Sequence, residues 1–207
     1  MTETVKLDPR RTALLLMDFQ AGIVESFPDA DAVLERAVAA RAVADRAGVQ
    51  VVFVRVAFTA DARRSVPDRN KSFAAIAGSD RLTDGAPEAD VHPRLAPAPG
   101  DVVVTKTRVG AFGTTDLAAQ LADRGIDTLL LAGIATSGVV LSTVRDAADR
   151  DYRLFVVADC CADRDAEVHS VLVDRVFVRQ ADIVASSDLG AMLGDAAPGP
   201  ARPARPA

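Results

Sequence analysis

The hydrophobic pattern of the chain alternates between short apolar runs and amphipathic stretches. Six runs rich in aliphatic and β-branched residues predict β-strands: Ala13–Asp18, Val49–Val56, Asp101–Thr105, Thr128–Gly133, Leu154–Asp159 and Asp182–Ala185. Most of these runs are continuously apolar rather than alternating. This pattern is typical of parallel strands that helices cover on both faces.

The stretches between the runs have the apolar spacing of helices. They predict helices over Ala30–Ala47, Thr115–Arg124, Gly138–Arg150 and Asp165–Phe177, and a short one about Lys71–Ala77. Gly48 and Gly125 follow two of these segments, where helices commonly end, and Asp163 or Asp165 is the expected cap of the last long one. The repeated strand–helix order predicts a three-layer α/β/α domain with a six-stranded parallel sheet and right-handed crossovers.

Two segments interrupt this order. Residues 57–100 contain charged and Pro/Gly-rich sequence between two strands, and a connection of this length commonly serves as a lid or an oligomer contact. Together with an apolar helix face, it favours a homo-oligomer, a dimer or a tetramer. Residues 196–207, AAPGPARPARPA, have a composition that cannot pack. We therefore expect a single domain over residues 1–195, followed by a disordered tail.

Composition narrows the classes of partner. The chain has 207 residues, of which 49% are hydrophobic, and a net charge of -5 that no Lys/Arg cluster offsets, so a nucleic-acid partner is not expected. No apolar run approaches the roughly 18 residues of a membrane span, and the first residues lack an apolar signal-peptide core. We expect a cytoplasmic protein that binds a small-molecule substrate, with no membrane partner and no cofactor.

Neither the cysteines nor the histidines form a metal-ligand pattern. Cys160 and Cys161 are adjacent, where a disulfide is strained and rare, so we expect two reduced thiols just beyond a strand. His92 and His169 are far apart and share no ligand spacing. We expect His92 to be solvated in a loop, His169 to have a packing role, and no metal to be bound.

Chemically useful residues follow the predicted strands. In an open parallel sheet, ligands bind beyond the carboxyl ends of the strands. Asp18 ends the first strand, Arg55 lies near the end of the second, Lys106 follows the third, and the turn GIATSG at residues 133–138 follows the fourth. A partly desolvated carboxylate beside an ammonium can transfer protons, but the same pair can also be a buried ion pair that only fixes loops.

The turn at residues 133–138 has the GxxxxG spacing of a phosphate-binding loop but lacks the residues that bind phosphate and magnesium in such a loop. Val139 and Val140 stand where Lys and Ser or Thr should follow, and no GxGxxG motif follows any strand. An NTP-binding module is therefore disfavoured. The free amides of the helix N-terminus after the turn can still hold an anion or a developing oxyanion.

Several separated motifs carry a resemblance to a known family. The segments TALLLMDFQ, VVVTKTRVGAFGTTDLAAQLADRGIDTLLLAGIATSG and TVRDAADRDYRLFVVADCCADRD, followed by EVH, occur in that order. They resemble the isochorismatase-like hydrolase superfamily, which includes nicotinamidases, N-carbamoylsarcosine amidohydrolases and isochorismatases, over residues 10–186. The resemblance implies an isochorismatase-like, Rossmann-like sheet with a cleft at its carboxyl edge.

The resemblance also implies roles for individual residues. In the cysteine-hydrolase branch an Asp, a Lys and a Cys form the catalytic triad; Asp18 and Lys106 match the first two, and the Cys position falls on Val139. A cis peptide of those relatives would map to Ile134–Ala135, with the amides of Ala135 and Val139 facing the oxyanion. The residues expected to line the substrate pocket are Phe19, Gln20, Arg55 and Phe112.

The absence of the family's cysteine limits the reaction. Valine has no lone pair, so an acyl-enzyme at position 139 is excluded, and Ser137, Ser142 and the two cysteines do not occupy the matching position. Isochorismatases also lack the cysteine and are thought to use the Asp as a proton donor to a vinyl ether. Their turn differs from GIATSGVV, however, so the substrate is not implied.

Two hypotheses remain open. In the first, the protein is a small-molecule hydrolase that uses Asp18 and Lys106 to cleave a C–N or vinyl-ether C–O bond without a covalent intermediate. In the second, it is a catalytically inactive member of the fold that acts as a binding or scaffold protein. A metal-dependent nicotinamidase is not expected, because residues 55–73 lack the two His of that site.

Overall fold

A six-stranded parallel sheet forms the centre of the protein. The computed structural model describes residues 5–27 and 30–194. The strands are β1 (Thr12–Met17), β2 (Gln50–Val56), β3 (Val102–Lys106), β4 (Thr128–Ile134), β5 (Arg153–Ala162) and β6 (Asp182–Val184). Their order is β3-β2-β1-β4-β5-β6, and every neighbouring pair is parallel. The predicted α/β class is confirmed, whereas the tail predicted over residues 196–207 lies outside the described residues.

Helices lie on both faces of this sheet. They are α1 (Ala21–Val24), α2 (Ala30–Ala47), α3 (Ala60–Arg64), α4 (Ala74–Ala77), α5 (Leu117–Ala122), α6 (Leu141–Ala148), α7 (Ala166–Val171) and α8 (Leu189–Leu193). A π-helical turn, Thr136–Val140, leads into α6, and α7 continues through a π-helical turn at Leu172–Val176 and a 3-10 turn at Phe177–Arg179. Further 3-10 turns are Pro9–Arg11, Pro87–Ala89, Pro93–Leu95 and Ser186–Asp188. Among the described helices, none has the length and apolar character needed to cross a membrane.

The sheet separates two layers of hydrophobic core. Leu14 and Leu16 of β1 pack in the layer that includes α2, whereas Leu15 and Met17 pack in the layer that includes α5 and α6. Because successive side chains point to opposite faces, a strand buried on both must be apolar at every position. The third predicted strand departs from this rule. Val103 is 46% exposed, because β3 lies at the edge of the sheet.

The order of strand addition reverses between β1 and β4. The first three strands extend to one side of this point and the last three to the other. Met17 pairs with Gly133 at the carboxyl ends of β1 and β4. Such a reversal opens a crevice beyond the strand ends, and this is where open α/β sheets bind their ligands. Asp18 and the turn after β4 therefore both lie at the crevice.

Gly133 allows β1 and β4 to approach closely at the crevice. A Cβ atom at Gly133 would lie 2.8 Å from the carbonyl oxygen of Met17 and 2.9 Å from its Cβ. Because these atoms belong to the neighbouring strand, we expect Gly133→Ala to lower the free energy of unfolding by about 1–3 kcal/mol, as overpacking does. Chemical denaturation measures the change.

Gly113→Ala is the matched control. A Cβ atom there meets nothing within 4 Å, so the free energy of unfolding should change by no more than about 0.5 kcal/mol. Equal destabilisation by the two substitutions would contradict a specific steric role for Gly133.

Candidate active site

A buried ion pair joins the first and third strands across the second. Lys106 Nζ lies 2.9 Å from Asp18 Oδ2, and the two side chains are only 2% and 8% exposed. Lys106 ends β3 beside Val56 of β2, so its side chain must cross the end of β2 to reach Asp18. The structure thus brings together the two residues that the sequence assigns to acid–base chemistry.

Backbone contacts also hold Asp18 in place. Its φ of 59° lies in the left-handed region, which aspartate adopts more readily than most residues. Its N–H donates to the carbonyl oxygen of Val54 at 2.8 Å. Oδ2 accepts from Lys106, whereas Oδ1 is buried without a hydrogen-bond partner in the described structure. Leaving such an atom unpaired inside a protein is unfavourable.

The surroundings of Asp18 change its acidity. Burial raises its pKa above the ordinary value, and the neighbouring ammonium of Lys106 opposes this effect without cancelling it. A carboxyl group in such a place keeps its proton to a higher pH than an exposed aspartate does. Burial thus favours the protonated form of Asp18, and the adjacent ammonium of Lys106 favours its anion.

The turn after β4 lies beside Asp18. The peptide between Ile134 and Ala135 is cis, as the resemblance implies. The carbonyl oxygen of Ala135 accepts hydrogen bonds from the N–H groups of Gly138 and Val140, at 3.1 and 3.3 Å. These bonds fold the chain tightly between the sheet and α6, which places the backbone amides of the turn at the carboxyl edge.

Val139 fills the position where the resemblance places the family's cysteine. Its side chain is 2% exposed and belongs to the core layer that also contains Ala111, Phe112 and Val140. An apolar side chain in such packing supplies neither a nucleophile nor a hydrogen bond. Val139 itself therefore adds no polar group to this edge.

Two polar residues beyond β5 hold this turn, and sequence reasoning missed both contacts. The fully buried Thr136 has its Oγ1 2.8 Å from His169 Nδ1. The N–H of Ser137 donates to Asp163 Oδ2 at 2.6 Å. Asp165, not Asp163, caps α7. The EVH motif was the only signal for His169, and nothing in the sequence pairs it with a threonine in another element.

Gln20 and Arg55, which were expected to line the substrate pocket, bind other parts of the protein. The Gln20 amide accepts from the N–H of Val56 at 2.7 Å and donates to the carbonyl oxygens of Val56 and Ala89 at 2.8 and 2.7 Å. The Arg55 guanidinium pairs with Asp84 at 2.6 Å. Both side chains thus attach the segment of residues 57–100, here called the covering segment, to the sheet.

The side chains that the sequence assigns to the carboxyl edge are largely buried in this structure. Phe19 and Phe112, the other expected pocket residues, are buried in opposite core layers. Asp18, Lys106 and Val139 are also nearly enclosed. Two surface cavities, of about 330 and 290 Å³, lie at the amino-terminal edge of the sheet.

The two cysteines lie inside β5 rather than beyond it. Cys160 packs in the core layer of α2, and Cys161 in the opposite layer. Burial raises the pKa of both thiols, that of Cys161 to about 12, so neither is a ready nucleophile. Among the described residues, no three His, Cys, Asp or Glu side chains group in a way that could hold a metal ion.

Comparisons with known proteins agree with this architecture. A family model, the isochorismatase domain, matches residues 12–188. Maleamate amidohydrolase of Pseudomonas putida is 29% identical over 184 residues, which cover 86% of this chain and 85% of that protein. Isochorismatase of Bacillus subtilis is 30% identical over 182 residues, which cover 88% of this chain and 58% of that protein.

A solved structure extends the agreement to three dimensions. An isochorismatase family protein from Burkholderia thailandensis superimposes with a TM-score of 0.78 at 28% sequence identity, over 92% of this chain and 99% of that one. The six-stranded α/β fold is thus that of isochorismatase-family structures. The chain belongs to the isochorismatase family.

Proposed function

We propose that this protein is a small-molecule hydrolase that cleaves a C–N or vinyl-ether C–O bond by acid–base catalysis, without a covalent enzyme intermediate. The observation that carries the proposal is the buried pair of Asp18 and Lys106, 2.9 Å apart, with Asp18 Oδ1 free of any protein partner. A purely structural ion pair would be expected to satisfy both carboxylate oxygens. Here one oxygen remains for a substrate.

Asp18 acts as the proton donor in this proposal. With a vinyl ether, the Asp18 proton moves to the terminal carbon of the double bond, water adds to the resulting oxocarbenium carbon, and the proton that the water loses restores Asp18. The hemiketal then breaks its C–O bond as its hydroxyl proton passes to the leaving oxygen, which gives a carbonyl compound and an alcohol. With an amide, water attacks the carbonyl carbon, the Asp18 proton goes to the nitrogen as the C–N bond breaks, and the proton that the water loses restores Asp18. In both reactions the Lys106 ammonium stabilises the Asp18 carboxylate that forms. The raised pKa of Asp18 supports this role, since the group must hold a proton before it can donate one.

Backbone amides stabilise negative charge in the amide reaction. By the resemblance, the N–H groups of Ala135 and Val139 face the carbonyl oxygen of the substrate, where charge develops as water attacks. Donors that are held in place before the reaction are the most effective stabilisers of such charge. The hydrogen bonds from His169 to Thr136 and from Asp163 to Ser137 support this arrangement. They hold the turn and leave the N–H groups of Ala135 and Val139 unused.

The nature of position 139 supports a non-covalent route. Val139 cannot attack a carbonyl carbon, and the two thiols of the chain are buried in the sheet. Water is therefore the nucleophile. The relatives described above are named for maleamate, an amide that carries a carboxylate, and for isochorismate, a vinyl ether that carries carboxylates. These two bond types, with ureides, are the first to screen.

Two substitutions test the roles of the ion pair. Asp18→Asn removes the titrating group and nearly preserves its shape, and Lys106→Met removes its charge partner. We expect each to lower kcat by at least about a hundred-fold, as the loss of a general acid does. Steady-state kinetics measure this on whichever amide, ureide or vinyl ether the wild-type protein hydrolyses.

The exposed Asp149 at the end of α6 provides the matched control, and Asp149→Asn should leave kcat unchanged. In the wild type, kcat/KM should fall as the pH rises through the raised pKa of Asp18, since the donor then loses its proton. A fall as the pH drops would instead identify a general base. Full turnover by Asp18→Asn, or no hydrolysis in any of the three substrate classes, would contradict the proposal, and the latter would favour a binding protein.

The buried thiols give an independent test of the missing nucleophile. Treatment of the native protein with iodoacetamide should leave Cys160 and Cys161 unmodified and the activity intact, because both thiols are buried and protonated. Mass spectrometry should show modification of both after unfolding in denaturant. Activity that disappears on alkylation of the native protein, but survives Asp18→Asn, would assign the chemistry to a cysteine.

Val139→Cys tests the position of the family's nucleophile. The substitution places a thiol at the position that the resemblance gives to the family's cysteine, and we expect weak new amidase or esterase activity that iodoacetamide abolishes. The activity should be poor because the surroundings are not shaped around a thiolate. Val140→Cys, at a neighbouring buried position, is the control and should give none. Equal activity in both variants would contradict the alignment of position 139 with the cysteine.

A further inference from the structure

The helix that follows β5 carries a large share of the exposed apolar surface. The helical run begins with α7 and continues through the two turns after it, over residues 166–179. Among the described residues, five large hydrophobic side chains are exposed, and three of them lie on this run: Val168, Val171 and Val178, at 38%, 44% and 54%. Isolated apolar side chains are ordinary on a protein surface, whereas a row of them along one helix indicates a contact surface.

The three valines form one stripe with an arginine. Val168, Val171, Arg175 and Val178 are separated by three, four and three residues, which is the spacing of a seam along which two helices pack. The residues of the opposite face pack in the core layer of α5 and α6: Leu172, Val173 and Phe177. The stripe is therefore apolar surface that the fold of a single chain leaves uncovered.

The charged side chains at the two ends of the stripe are opposite in sign. Glu167 lies at the amino-terminal end, Arg175 and Arg179 lie toward the carboxyl-terminal end, and Asp174 lies near the middle. All four are exposed, and none takes part in an ion pair within the described part of the chain. A surface with this polarity complements a second copy of itself that lies on it in the reverse direction.

A two-fold axis near residue 173 matches the two copies of the stripe. In antiparallel packing about this axis, residues at equal distances on either side of position 173 face one another. Val168 then lies against the partner's Val178, and Glu167 lies against the partner's Arg179. Apolar surface thus meets apolar surface, and a carboxylate meets a guanidinium, twice in each dimer.

The covering segment offers no comparable surface. Its length made it the other expected oligomer contact, but its large apolar side chains are turned inward. Val66, Phe73 and Leu82 are at most 9% exposed and pack with Phe58 and with Val56 of β2. Of the two features of the sequence that favour an oligomer, the helix face is therefore the one with apolar side chains in contact with solvent.

We propose that the stripe over residues 168–178 is a homodimer contact, in which the helical run packs antiparallel against the same run of a second copy. Val171 packs there on the aliphatic part of the partner's Arg175, which can cover apolar surface while its charge stays in water. A single pair of helices buries less than the roughly 800 Å² per partner of a standard interface, so the dimer is weak and reversible. The contact is independent of the reaction proposed above.

Disulfide trapping tests the register of the contact. Under mild oxidation the double variant Val168→Cys/Val178→Cys should form covalent dimers, because facing residues come within the roughly 7 Å between Cα atoms that a disulfide spans. Each single variant should form at least about tenfold less, since its two thiols are ten residues apart along the helix, or about 15 Å. The native cysteines are both buried and do not interfere. Non-reducing gel electrophoresis measures the yield.

Sedimentation equilibrium measures the affinity at protein concentrations up to about 1 mM, which suits a weak interface. We expect a monomer–dimer equilibrium in the wild type. Val171→Asp should raise Kd about tenfold or more, because it places a charge within the apolar stripe. Val103→Asp is the matched control and should leave Kd unchanged, since this valine is 46% exposed on β3, at the edge of the sheet. Circular dichroism verifies that each variant is folded.

A charge exchange separates the contact from an effect on the helix itself. Glu167→Arg should raise Kd, because two like charges then face one another across the interface. The double variant Glu167→Arg/Arg179→Glu restores the opposite pairing and should recover most of the lost affinity. A change that acted only on the stability of the helix would not be rescued in this way.

Several results would overturn the proposal. One is a wild-type protein that sediments as a monomer over the whole concentration range. Another is covalent dimer in equal yield from the single and double cysteine variants, and strong cross-linking of Val168→Cys alone would likewise contradict the antiparallel register. Equal weakening by Val103→Asp and Val171→Asp, or no recovery in the charge exchange, would also count against this surface.

Discussion

The ion pair between Asp18 and Lys106 is the constraint on which the arrangement of the carboxyl edge depends. Taking two charges out of water costs several kcal/mol for each ion, and only close contact between them offsets that cost. The contact requires three adjacent strands in one register, with Met17 beside Val54 and Val56 beside Lys106. A slip of one residue between β2 and β3 would turn Lys106 to the other face of the sheet and leave Asp18 alone.

The other half of the site depends on contacts from elements that supply no reacting group. Asp163 and His169 approach the turn after β4 from β5 and α7, and each satisfies one polar group of the turn. Gly133 permits the strand on which the turn begins to lie close to β1. The position of the turn is thus fixed by the sheet and by hydrogen bonds from neighbouring elements, as in rigid sites generally.

The parts of the molecule that the sequence predicts are those that local pattern controls. Continuous apolar runs predict strands buried on both faces. The exposed Val103 of β3 is the exception, because the position of a strand at the sheet edge depends on the whole sheet and not on the local sequence. Asp18 and Lys106 are predictable because each follows a strand, and parallel strands end at one edge. Gln20 and Arg55 also lie near the carboxyl ends of strands, yet their side chains bind the covering segment. Position at a strand end does not determine which group a side chain contacts.

Contacts between distant segments explain the remaining differences. Thr136 and His169 are 33 residues apart, and Arg108 meets Ser65 across 43 residues. Sequence spacing does not predict contacts over such separations. The sequence therefore predicts only a packing role for His169 and no role for Arg108. The length of β5 has a similar cause. Its register against β4 shifts between Leu131 and Gly133, which lets the strand run on through both cysteines.

The burial of the Asp18–Lys106 pair has a kinetic consequence for the proposed function. Because the two side chains are almost inaccessible, the reaction proposed above requires the protein to open and close around its substrate. In enzymes of this kind the movement of a loop, rather than the making and breaking of bonds, commonly sets the turnover rate. Under the proposed function, solvent viscosity then becomes a determinant of kcat.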